Sequence, residues 1–72
     1  MDIVKFSQTV SILSSRNKNL LVEFKNNGAV TRGRFVELDL SALKEGFLAI
    51  VEQEGRQVRV NVINDVVAVR PV

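Results

Sequence analysis

The stretch LLVEFKNNGAVTRGRFVELD, residues 20 to 39, decides the fold. Leu20, Val22 and Phe24 alternate with Leu21, Glu23 and Lys25, the period of a half-buried strand. Asn26-Asn27-Gly28 then breaks the alternation with residues that tolerate positive φ, which predicts a tight turn. A long second strand follows from about Ala29 to Leu40, with Gly33 in its interior, where glycine marks a bulge or a sharp bend. Phe35 and Leu38 both suit a core yet sit three residues apart, and this phase slip also argues for a bulge between them.

Downstream the same period recurs. Ser41 to Gly46 reads as a loop, and Phe47, Ala49 and Val51 open a third strand over about 47–53. Glu54-Gly55 makes a second hairpin turn, and Val58, Val60 and Val62 alternate with Arg59 and Asn61 in a fourth strand over about 56–63. Asn64-Asp65 is a short break before a last strand, about 66–70, that is apolar on both faces, and Pro71 closes it where no ladder donor is needed. Upstream, Ile3, Phe6, Val10 and Leu13 recur at spacings of three and four, so residues 2 to 15 form a helix with Asp2 at its cap. Its Val, Ile, Thr and Ser content is only fair for a helix, which must therefore dock its apolar stripe on the sheet. The order predicts a single, mainly β domain over 1–72. Its five antiparallel strands form a small, strongly bent barrel with an N-terminal α-helix.

A chain of 72 residues is small for an independent core, and with no Cys and no His it has neither disulfides nor a zinc site to staple it. Yet 46% of its residues are apolar, so a second copy is the simplest cover. Pairing of the fourth strand with the fifth strand of a neighbour would build a ring, with Val58, Val60, Val66, Val67 and Val69 as candidate interface residues. Ten Lys and Arg against eight Asp and Glu give a net charge of +2, which permits nucleic-acid binding without demanding it. No secretory signal or membrane-length apolar run is visible, and with no Cys the expected location is cytoplasmic, away from membranes.

Val22, Phe24, Gly28, Gly33, Phe35, Leu38 and Asp39 stand at the spacings of the first Sm-like motif. Ile63, Val66-Val67 and Arg70-Pro71-Val72 resemble the C-terminal pattern of the bacterial Hfq branch in one ungapped register. The resemblance spans nearly the whole chain. It implies a five-stranded barrel of the SH3-like kind, a homo-oligomeric ring and single-stranded RNA as ligand, with no cofactor and no small-molecule substrate. The chain also departs from the pattern. Leu43 stands where Sm-like proteins place a uracil-reading Asn, Leu40-Ser41 replaces a base-contacting pair, and Val60-Asn61 replaces the Lys-His of Hfq.

On this resemblance Asn61 is a candidate base reader, with Asp39 as its orienting partner; otherwise Asn61 is a polar residue on a wet strand face. Arg16 and Lys18 follow the helix where Hfq carries a basic rim, and a ring would repeat them into a continuous track; otherwise they are ordinary solvated charge. Gln8 lies near a helix position that touches uracil in the family. Phe24 aligns with an adenine-stacking aromatic, although its phase with Leu20 and Val22 favours the core. Arg32 and Arg34 flank Gly33 and give their face a positive patch, unless Glu23 or Glu37 pairs with them. Without His or Cys no common nucleophile–base pair can be assembled, so no enzyme is expected. Three functions remain open: an RNA-binding ring, a ring serving as a protein scaffold without RNA, and a monomeric SH3-like barrel.

Overall fold

The computed structural model describes residues 1–39 and 46–72. The expected end of the second strand at Leu40, the loop from Ser41 and the Leu43 position lie outside the described residues.

Helix α1 spans Ile3–Ser14 and begins at Asp2, whose carboxylate accepts a hydrogen bond from the Lys5 backbone N–H at 3.1 Å. It ends where the Asn17 backbone N–H and side-chain amide both donate to the Leu13 carbonyl oxygen, each at 2.9 Å. Phe6 is the helix residue that is wholly buried, and its ring meets Phe35 edge to face with centroids 5.8 Å apart. Ile3 and Val10 pack beside it at the margin of the core. Val4 and Ile12 face outward, so of the expected stripe Ile3, Phe6 and Val10 dock on the core.

The strands are β1 (Leu20–Asn26), β2 (Ala29–Asp39), β3 (Leu48–Gln53), β4 (Arg56–Asn61) and β5 (Val66–Pro71). They form one antiparallel sheet in the order β4-β3-β2-β1-β5. Both hairpin turns place two residues in the left-handed region, Asn27 with Gly28 and Glu54 with Gly55. This is the twist that two-residue hairpins require. The core holds Phe6, Val22, Phe24, Ala49, Val51, Val60, Val62 and Val66. Each large apolar side chain buried there contributes about 1.5–3 kcal/mol of transfer free energy.

The long strand β2 serves two partners. Ala29 to Arg34 pair with β1, Arg34 to Asp39 pair with β3, and the register slips between Phe35 and Glu37, the bulge expected from the phase slip. At Gly33 a β-carbon would come within 3.0 Å of both Gln53 Cγ and the Glu52 carbonyl oxygen, so glycine is what lets β2 bend across β3.

Two expectations require correction. Residues Val62–Asp65 are not strand and break but a helical turn, α2. The Asn61 side chain starts it by accepting from the Asn64 N–H at 3.0 Å. Val62 is nonetheless fully buried, as the alternation anticipates. Nor does the sheet close into a barrel: among the described residues β4 and β5 are its two edges and do not pair with each other. The turn at α2 carries the chain away from β4, and β5 then runs beside β1, from Phe24↔Val66 to Leu20↔Pro71.

Candidate nucleic-acid interface

One row of residues crosses all five strands. Arg70 pairs with Leu21, Leu21 with Arg34, Arg34 with Glu52, and Glu52 with Gln57. Their chain neighbours Val22 and Val51 are fully buried, so the row lies on the face turned away from the core. Ion pairs fix much of its charge. Arg34 meets Glu52 at 3.1 Å, with both side chains partly exposed, and Arg70 meets Glu23.

Arg32 stands opposite Glu23 in the register, but Glu23 is engaged by Arg70. Arg32 is exposed, and no carboxylate among the described residues pairs with it. It borders an open groove of about 550 Å³ whose lining includes Thr31, Arg34, Gln53, Arg56 and Gln57. The Gln53 amide nitrogen braces one wall, donating to the Thr31 hydroxyl at 3.0 Å and to the Arg32 carbonyl oxygen at 2.9 Å. A depression of about 330 Å³ beside Glu23 and Arg70 shares Arg32 with this groove.

The other candidates are dispersed. Arg16 and Lys18 are exposed in the segment between α1 and β1. Gln8 is exposed on α1, where Ser7, Ser11 and Ile12 share a shallow apolar depression with it. Phe24 is 2% exposed and belongs to the core, so its ring offers no face to a base. Asn61 spends its carbonyl oxygen on capping α2. Asp39, the expected orienting partner of Asn61, is buried and lies 3.0 Å from Arg59 Nε. Asp39, Leu48 and Asn61 do share one row across β2, β3 and β4, which brings the two polar residues to the same end of the sheet.

Of the five interface candidates, Val60 and Val66 lie in the core at 3% and 5% exposure, so what they present to the surface is their backbones. Val58 and Val69 are half-buried at the edges of the core, and Val67 is 48% exposed on β5. Sequence reasoning passes over Arg56 and the pairs Arg59–Asp39 and Arg34–Glu52, because these depend on strand register and not on spacing along one strand. No helix among the described residues is long and apolar enough to cross a membrane. Comparisons with protein families, with curated proteins and with solved structures find no match to this chain.

Proposed function

We propose that the chain is a subunit of an Sm-like, homo-oligomeric ring that binds single-stranded RNA and catalyses no reaction. The observation that carries this reading is that β4 and β5, at opposite ends of one five-stranded sheet, are edges with no strand partner among the described residues. Unpaired edges present rows of N–H and C=O groups that another strand can satisfy, and natural proteins seldom leave such edges uncovered. The β4 of one copy against the β5 of the next satisfies both at once, repeats identically from copy to copy and covers Val67. Closing the ring completes between subunits what the single chain leaves open.

RNA is the ligand favoured by the exposed cations. Arg16, Lys18 and Arg32 are all exposed, none has a carboxylate partner among the described residues, and a ring multiplies each of them by the number of copies. The second reading is a ring that acts as a protein scaffold. It is favoured by the burial of Phe24, which removes a stacking ring, and by the capping role of Asn61, which takes up its side-chain oxygen. Titration of oligouridylate and oligoadenylate across a salt series separates the two. RNA binding predicts an affinity that falls steeply with salt. Absence of binding at low salt selects the scaffold.

A further inference from the structure

We infer that Asn27 is a site of spontaneous covalent modification: the Gly28 backbone nitrogen closes on its side chain, and water opens the resulting succinimide to aspartate or isoaspartate. This chemistry needs neither a ring nor RNA. Solvent base removes the Gly28 N–H proton, and the nitrogen lone pair bonds to Asn27 Cγ. The Cγ–Nδ2 bond then breaks, and the amide leaves as ammonia with a proton taken back from water. Water next adds to the succinimide. Cleavage between the Gly28 nitrogen and Cγ restores the main chain with an aspartate. Cleavage between that nitrogen and the Asn27 carbonyl carbon routes the main chain through Cβ and Cγ, which is isoaspartate. One water is consumed, one ammonia is released, and nothing is oxidised or reduced.

The β1–β2 hairpin favours the attack at this pair. Residues 25–30 are all exposed. A β-carbon built at Gly28 would meet nothing within 4 Å, so the attacking nitrogen is uncrowded. The ladder ends at the pair Asn26 and Ala29, and among the described residues no backbone acceptor takes the Gly28 N–H. Nor does a hydrogen bond among them hold the Asn27 side chain, whereas Asn17 is bound to Leu13 and Asn61 caps α2. Asn27 sits at φ 52 and must rotate its backbone to bring Cγ to the nitrogen, a motion that an exposed hairpin tip allows. Every other asparagine precedes a residue with a side chain, which crowds the nitrogen. The two products differ in what they do to the fold. Asp-Gly suits the same two-residue turn as Asn-Gly. Isoaspartate adds a main-chain carbon between Asn26 and Ala29, which lengthens the connection that sets the β1–β2 register.

Incubation of the intact protein in mildly alkaline buffer at physiological temperature tests this, beside the same protein in guanidinium chloride and the folded Asn27→Gly variant. Gly-Gly also suits this turn, so the variant keeps the hairpin and loses only the amide. Conversion is read by peptide mapping with mass spectrometry, and isoaspartyl methyltransferase labelling marks the isoaspartate. Asn27 should convert in the folded protein faster than any other asparagine, and faster still as pH rises. The variant should take no label at position 27. The isoaspartate fraction, once separated by chromatography, should unfold at lower denaturant than the parent, whereas Asn27→Asp should unfold with it. An Asn27 that stays intact in the folded protein, whether or not it converts in denaturant, would overturn the site. Conversion spread evenly over the asparagines would do the same. An isoaspartate fraction as stable as the parent would overturn the effect on the register.

Discussion

Gly33 and Gln53 approach so closely that a β-carbon on residue 33 would lie 3.0 Å from Gln53 Cγ, and equally close to the Glu52 carbonyl oxygen. The side-chain carbon can swing aside, but the backbone oxygen cannot. Gly33→Ala should therefore destabilise the fold by about 1–3 kcal/mol, the usual cost of overpacking. Urea unfolding checks it. An unchanged midpoint would mean that the bend between the two halves of β2 does not need glycine.

Phe6 ties α1 to the sheet. It is fully buried and meets Phe35 edge to face, whereas Val4, two residues earlier, is 58% exposed. Phe6→Ala should cost about 3–5 kcal/mol, and Val4→Ala should stay within about 0.5 kcal/mol. Thermal unfolding followed by circular dichroism reads both. Equal losses from the two changes would contradict the docking described for the helix.

Asn61 separates a structural role from a recognition role. Its side-chain oxygen caps α2, so Asn61→Ala should cost about 0.5–2 kcal/mol, while Asn61→Asp keeps an acceptor and should be nearly neutral for folding. The aspartate lacks the amide donor that a base reader would use. If Asn61→Asp is stable and binds RNA as the parent does, capping is the residue's main work. If it is stable and binds more weakly, Asn61 also touches RNA.

Two ion pairs should differ in worth. Arg59 faces the buried carboxylate of Asp39, whereas Arg70 meets Glu23 at a wetter site. Arg59→Gln should cost about 1 kcal/mol because it withdraws a charged partner from a buried acceptor. Arg70→Gln should cost less than about 0.5 kcal/mol, as exposed pairs do. Chemical unfolding of the two variants side by side makes the comparison, and an equal or reversed order would count against it.

The periodic elements are legible because each carries a local signal. Asn27-Gly28 and Glu54-Gly55 supply the positive φ of their turns, and the spacing of Phe35 and Leu38 announces the bulge. Phe24 reads correctly as core from its phase with Val22. The turn α2 is hidden because Val58, Val60 and Val62 keep a strand's alternation to the end, and a buried Val62 looks the same from either backbone. Phe47 misleads in the opposite way. It stands in phase with Ala49 and Val51 but precedes the strand and is 36% exposed, while its carbonyl accepts the Val62 N–H at 2.8 Å. The pairs Arg59–Asp39 and Arg70–Glu23 join residues on different strands, and spacing within one strand carries no trace of them.

The open edges at β4 and β5 lead to the most direct test, the mass of the native protein in solution. Native mass spectrometry at micromolar concentration should give one closed species at a whole multiple of 8.0 kDa, and Val67→Pro, placed on the β5 edge, should shift it toward smaller species. A parent protein that remains at 8.0 kDa across the concentration range would contradict the ring, and with it the surface on which the proposed RNA binding depends.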